Sequence, residues 1–268
     1  MIQEPSCVLP TDLYDVLGTA FAPIVVDVRF EADTHAIDRL IPGAIYRPTD
    51  DVHSWWRELP SGRTVVVCDL SGGEKSLRVT AALNQCGTDA SYLMDGFAGW
   101  HDRGLPTRKI VRGDSDKWVT RERPKIDRIA CPWLIHRFIN PLAEFFYVPA
   151  DQVRAVAEES VAIPYDVPGV EFTHERDRCS FDKILAVHDL KIPALDHLAT
   201  IVRGADTSRH DLAPECDGLV AISCGLSENF LDDHEMLNHG MVVYDALFSW
   251  CRNRRESRAE SATSVKSR

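Results

Sequence analysis

Positive charge is what this sequence is shortest of. Thirty Lys and Arg stand against 41 Asp and Glu, a formal net charge of −11. That deficit excludes a surface built to neutralise a nucleic acid backbone, so nucleic acid is not an expected partner. The densest basic stretch, "RNRRESR" at residues 252–258, reads as a solvated tail. No apolar run approaches the length of a membrane span, so no membrane partner is expected. The opening "MIQEPSCVLPTDLYDVLG" has no basic start followed by an apolar run, and the expected location is the cytoplasm. Paired cysteines are missing too. The eight, at positions 7, 68, 86, 131, 179, 216, 224 and 251, form no C-x-x-C. That argues against a finger-type zinc site, and in a chain without an export signal they read as thiols. No H-E-x-x-H motif and no internal repeat occurs.

What is present is an ordinary globular composition, 44% hydrophobic and 26% charged over 268 residues, enough for two modest domains. In the first half, apolar runs alternate with helical spacing. "DLYDVLGTAFA" (residues 12–22) reads as a short helix. "PIVVDVR", "IPGAIYRP", "TVVVCDL" and "ASYLMDG" read as strands, the first and third buried on both faces. "EKSLRVTAALNQCG" reads as a helix stopped at Gly87, and "FAGWHDRG" as a final short helix. Such alternation implies a parallel-sheet α/β domain over residues 1–108, expected to close its own sheet in a fragment ending near residue 110. "LPTRKIVRGDSDKW" is charged and without apolar period, and marks a linker over 109–116 (107–116 on composition). From there to residue 252 helical spacing dominates, with few strand signals ("EFFYV", "VEFTH"), so the second domain is expected to be mainly helical α+β. Residues 253–268 are polar and expected to be disordered.

The stretch "VVVCDLSGGEKS" ends a buried strand in a thiol and opens a small-residue loop. Cys68 is then either a nucleophile or a core cysteine. A loop wrapped around the start of a helix turns several N–H groups inward, making an anion nest that favours a thiolate. The loop is Asp69, Leu70, Ser71, Gly72, Gly73, Glu74 and Lys75, with the two glycines permitting close backbone approach. The order of "DVR" (Asp27, Arg29), "IPGA" (Pro42, Gly43, Ala44), the cysteine loop and "GFAGWHDRGLP" (Gly96, Trp100, Gly104, Pro106) resembles a rhodanese-like domain over residues 10–108. The resemblance implies a sulfurtransferase or sulfur carrier that forms a persulfide on Cys68, with thiosulfate as donor. The chain departs from that family where an arginine normally closes the loop. Gly73 and Glu74 stand there, Lys75 follows, and Asp69 and Glu74 oppose both a thiolate and an anion.

The second half concentrates its cations in "TRERPKIDRIACPWLIHRF". Arg123, Lys125, Arg128 and Arg137 are the candidate oxyanion-binding set, because guanidiniums gathered together require anions. Further on, "FTHERDRCSFDKIL" and "IVRGADTSRH" supply His174, Cys179 and Asp206, candidate ligands of a divalent metal. A mixed His and carboxylate set suits zinc, iron or manganese. "RPKIDRIACPWLIHRFI", "CSFDKIL", "IVRGAD" and "GMVVYDALFSWC" together resemble the C-terminal domain of the ChrB-type chromate resistance family over residues 115–252. That resemblance implies a bacterial chromate-stress protein and points at Arg123, Lys125, Asp127, Arg128, Cys131, Trp133 and Arg137 without assigning roles. The expected ligands are small oxyanions (thiosulfate, chromate, sulfate). A homodimer is among the assemblies the sequence allows. Two functions stand side by side: a sulfurtransferase joined to an oxyanion- or metal-binding domain, and a non-catalytic oxyanion-sensing regulator carrying an inactive rhodanese-like module.

Overall fold

The structure is a computed structural model that describes residues 5–29, 37–111 and 115–266, with side chains to Arg254. The chain divides into two compact units. The first takes residues 1–112 together with 135–142 and 188–190. The second takes 113–134, 143–187 and 191–268.

The first unit is built on valine. β-Branched residues fit a pleated surface buried on both faces, and their continuous runs give parallel strands. Strands β1 (Cys7–Val8), β2 (Ile24–Asp27), β4 (Ala44–Tyr46), β5 (Val65–Cys68) and β6 (Ala90–Leu93) form one parallel sheet in the order β1-β6-β5-β2-β4. β5 is flanked on both sides, with Cys68 opposite Asp27. Ile24, Val26, Val65 and Val67 share one face, where Val79 and Leu83 of helix α3 (Glu74–Gln85) and Trp55 of α2 (Val52–Trp55) cover them. Helices α1 (Pro10–Val16) and α4 (Gly96–Asp102) also belong to this unit. The helix expected over 12–22 begins earlier and stops sooner: Pro10 is pre-set for a first turn, and Gly18 at φ +76° leaves the helical region. The expected linker also carries structure. Arg108–Lys109 (β7) pairs antiparallel with Arg39–Leu40 (β3), and Lys109 N–H donates to the His188 carbonyl at 2.7 Å. Two-residue strands carry no readable period, which is why composition alone made this a connector.

The second unit is mainly helical around a three-stranded parallel sheet, β10-β8-β9 (Ile163–Pro164, Lys117–Arg121, Glu144–Val148). Its helices are α5 (Asp127–Phe138, whose last turn belongs to the first unit), α6 (Val153–Ser160), α7 (Ser180–Val187), α8 (Pro193–Asp206), α9 (Cys216–Asn229) and α10 (Asp233–Lys266). Trp118 on the central strand packs edge-on to Phe172 (5.2 Å) and Tyr165 (6.1 Å). Trp133 donates its indole N–H to Asp245 at 2.8 Å, tying α5 to α10. The backbone of α10 continues to Lys266, through most of the segment expected to be disordered. Arg, Glu and Ala are good helix formers, and a helix already nucleated by packing extends through polar sequence. No described helix is long and apolar enough to cross a membrane.

Candidate functional site

Two places gather chemistry-bearing groups. The first is the loop after β5. Strand residues alternate between the faces of a sheet, so Cys68 and Asp69 leave the strand in opposite directions. Cys68 goes into the core. It is fully buried, and its thiol donates to the Asp69 carbonyl at 3.3 Å. Burial pushes the thiol well up, the Asp27 carboxylate adds to this, and Arg29 opposes it. Arg29 itself is buried, paired with Asp27 at 2.8 Å and stacked over Phe97.

Asp69 turns the other way, into the nest. Its Oδ1 accepts the N–H groups of Ser71 (3.0 Å), Gly72 (2.5 Å) and Gly73 (3.2 Å), and its Oδ2 accepts those of Gly73 (3.2 Å) and Ser76 (3.2 Å). The cradle expected from the glycines is therefore formed, and it holds this chain's own carboxylate. Gly72 (φ +70°) and Gly96 (φ +57°) set the loop directly on the backbone entering α4. A Cβ on Gly96 would stand 2.5 Å from the Asp69 carbonyl oxygen and 2.6 Å from the Ser71 nitrogen, so only glycine fits. The α4 N–H groups of Phe97 and Ala98 then bond the carbonyls of Asp69 and Leu70. Leu70 is exposed, while Glu74 and Lys75 begin α3.

The second place lies in the second unit, where α5 begins. The turn before it is strained, with Arg123 at φ +52° and the β-branched Ile126 at φ +42°. It is held from three sides. Asp233 accepts the Arg123 N–H (3.0 Å), Ser223 Oγ accepts the Ile126 N–H (3.0 Å), and the Tyr244 hydroxyl donates to the Ile126 carbonyl (2.8 Å). Pro132 inside α5 has no N–H for the carbonyl four residues back, that of Arg128. The hydroxyls of Tyr147 (3.3 Å) and Tyr165 (3.5 Å) reach that carbonyl instead.

This scaffold fixes Asp127, fully buried at the first position of α5. The first N–H groups of α7, those of Ser180 (2.8 Å) and Phe181 (3.0 Å), bond its carboxylate, and the Cys131 thiol adds a contact at 3.2 Å. Three carboxylates from separate segments surround one imidazole nitrogen. His174 Nε2 lies 3.0 Å from Asp206 Oδ2, 3.3 Å from Asp166 Oδ1 and 3.6 Å from Asp127 Oδ2. Burial and the charges of Asp206 and Asp166 push Asp127 up to about 7. Hydrogen bonds to Asp166 and Asp206 raise His174 to about 10. Burial alone would raise Asp166, but the bonds from His174 and Arg121 more than offset it and hold its carboxyl below the usual range. Asp127, His174 and Asp206 offer ligand atoms within 4.8 Å of one another.

The sequence-derived candidates fall into place unevenly. His174 and Asp206 come together, 3.0 Å apart. Cys179 does not point into the group: its thiol lies 3.5 Å from Asp182 and is pushed up by burial and by Asp127. Asp127 stands there instead, and Asp166 joins it. Of the cations, Arg128 reaches the cluster, its Nε 3.3 Å from Asp166 Oδ2, and Arg121 binds the same oxygen at 2.9 Å. The Arg123 guanidinium turns away to the carbonyls of Ser227, Phe230 and Leu231 that end α9. Lys125 is exposed, and Arg137 belongs to the first unit. Asp166 carried no signal in the sequence. "YDVPG" reads as a turn, and nothing local says that its carboxylate (φ +51°) meets a histidine.

Comparison with known proteins places both halves. Residues 118–251, half of the chain, match the family model described as ChrB, C-terminal domain. Residues 9–103 match the rhodanese-like domain. Protein ChrB of Cupriavidus metallidurans is 32% identical over 155 residues, which cover 58% of this chain and 45% of that protein. The chain thus spans under half the length of that curated relative. Among solved structures, a rhodanese-related protein of Thermoplasma volcanium is 24% identical, covering 38% of this chain and 96% of that one, with a TM-score of 0.34. A rhodanese-like domain protein of Staphylococcus aureus is 25% identical, covering 37% and 95%, with a TM-score of 0.33.

Proposed function

The chain belongs to the ChrB C-terminal domain family of chromate resistance and carries a rhodanese-like domain ahead of it. From that premise we propose that it works as an oxyanion-responsive binding protein whose rhodanese-like domain transfers no sulfur. One observation carries this reading: Asp69, not Cys68, lies in the anion nest. Sulfur transfer from thiosulfate needs a thiolate in reach of the donor and vacant N–H groups to receive a dianion. Here those N–H groups already bond a carboxylate, whose charge repels the donor. The thiol meanwhile is buried and held protonated. Glu74, at the place of the closing arginine, adds a second negative charge.

The oxyanion response is assigned to the second unit, where Arg121 and Arg128 converge on Asp166. Chromate and sulfate are tetrahedral dianions whose geometry a pair of guanidiniums matches. Here both guanidiniums hold the Asp166 carboxylate, so the dianion binds by taking that carboxylate's place, from the side where Arg121 is 41% exposed.

The test incubates the full chain with thiosulfate and reads intact mass. No sulfur adduct is expected, and Cys68 is expected to resist alkylation until the protein is unfolded. One added sulfur atom on the peptide holding Cys68 would restore the sulfurtransferase reading. Calorimetric titration with chromate or sulfate tests the binding half. Arg128→Ala is expected to weaken it about tenfold to a hundredfold, the loss of one charge-assisted contact of about 1.5–3 kcal/mol. Equal titrations of wild type and variant would remove Arg128 from the site.

A further inference from the structure

The convergence on His174 goes beyond anion binding. A protonated imidazole nitrogen has one N–H and can satisfy one acceptor well. Yet three carboxylate oxygens, from the start of α5, from the Asp166 turn and from the end of α8, lie within 3.6 Å of that one nitrogen. The same crowding is ordinary around a metal ion. Two donors each about 2.1 Å from one ion stand about 3.0 Å apart at a right angle and about 3.4 Å apart at the tetrahedral angle. The separations of 3.0, 3.3 and 3.6 Å fall in and around that range.

The support behind the donors is of the kind metal ligands have. Asp127 is oriented by two helix N–H groups and Asp166 by two guanidiniums, so each ligand oxygen keeps a lone pair for another partner. The charge balance leads the same way. Three carboxylates outnumber one imidazole, and Arg121 and Arg128 both engage the outer oxygen of Asp166 rather than the Asp127 and Asp206 side.

We propose that Asp127, His174 and Asp206 bind one divalent first-row transition ion, with Asp166 as positioning residue or fourth donor. The donor set fixes the class. Nitrogen and carboxylate oxygen without thiolate suit Mn(II), Fe(II) or Zn(II) and disfavour Cu(I). Cys131 and Cys179 border the group, but the Cys131 thiol donates to Asp127 and is not a ligand. Because the His174 side chain is 40% exposed, the centre has an open edge where a water or a small anion completes the coordination. Arg121, itself 41% exposed, binds the Asp166 oxygen remote from His174 and supplies a cation beside the group.

The experiment uses the full chain, stripped with chelator and titrated with Mn2+ and with Zn2+ separately. Calorimetry gives stoichiometry and affinity. Loss of the free-ion electron paramagnetic resonance signal gives Mn2+ binding independently of the eight thiols, which Zn2+ alone could reach. One ion per chain is expected for at least one of the two metals, with a higher melting temperature on loading. His174→Ala and Asp206→Asn should each weaken binding at least tenfold. Asp206 ends a helix and is part-exposed, so that variant tests the site without emptying the core. Asp102→Asn, at an exposed carboxylate of the first unit, should leave binding unchanged. Failure of both ions to bind, or binding that survives both ligand variants, overturns the proposal. The thiosulfate mass experiment is blind to either result, so this inference and the reading of the nest stand or fall separately.

Discussion

At the scale of single residues, Asp69 decides what the first unit can do. Its carboxylate is the acceptor for four backbone N–H groups, each of which would otherwise be left without a partner in a part-buried loop. Removing it with Asp69→Ala is expected to cost about 1–3 kcal/mol, read as a lower urea midpoint. The vacated nest should then take an anion from solution. Sulfate should raise the melting temperature of the variant, in proportion to its concentration, far more than that of the wild type. A variant no less stable than wild type, with no differential response to sulfate, would mean the nest is not an anion site. The sequence made the nest legible through Gly72 and Gly73 but put the wrong neighbour in it. Cys68 and Asp69 are adjacent, and along a strand adjacent residues face opposite sides. Knowing the strand is therefore not enough. Its end at Cys68 was legible as well; what was not is which of the two side chains the following loop folds around, because the contact of that loop with the start of α4 decides it. In the second unit His174 and Asp206 were legible as residue types. Asp166 was not, because its contact is made by the fold and not by spacing.

At the scale of elements, glycine sets how closely pieces approach. Gly96 lets the loop after β5 lie on the start of α4, and its nearest neighbours are backbone atoms that cannot rotate aside. Gly240 lets α10 lie on α5, and its nearest neighbour is the Cγ2 of Ile129, 2.4 Å from where a Cβ would be. Ile129 is a side chain, though one packed in the core. Alanine at both positions should destabilise, but unequally. Gly240→Ala is expected to cost about 1–3 kcal/mol as Ile129 repacks. Gly96→Ala should cost more, because it adds a left-handed φ of +57° to an immovable clash. Chemical denaturation of the two variants side by side checks the order, and a Gly96→Ala protein at least as stable as Gly240→Ala contradicts it. Most longer elements were readable: the four strands of the first half, the helix after the Cys68 loop, the helical character of the second half. The strand signal "VEFTH" was not borne out, as only Phe172 there makes an isolated bridge, to Tyr165. The two-residue strands β1, β3, β7 and β10 were not, since their existence depends on the partner they meet and not on their own pattern.

At the scale of the whole molecule, the two family matches are consecutive in sequence, but the compact units are not. Residues 135–142 and 188–190 complete the first unit. There the Gly43 N–H donates to the Phe138 carbonyl at 2.6 Å, and Arg39 pairs with Asp189 at 2.9 Å. A fragment of residues 1–112 lacks these partners. It should retain its parallel sheet by circular dichroism yet unfold at a lower urea concentration than the same sheet in the full chain, followed by hydrogen exchange on β2 and β5. Equal protection in fragment and full chain would make the added segments incidental. The same discontinuity has a consequence in time. A ribosome extends a chain at roughly 5–20 residues per second, N-terminus first. Residues 188–190 therefore follow residue 112 by roughly 4–16 seconds, and the domain begun first stays incomplete until more than half of the second family's sequence has been made.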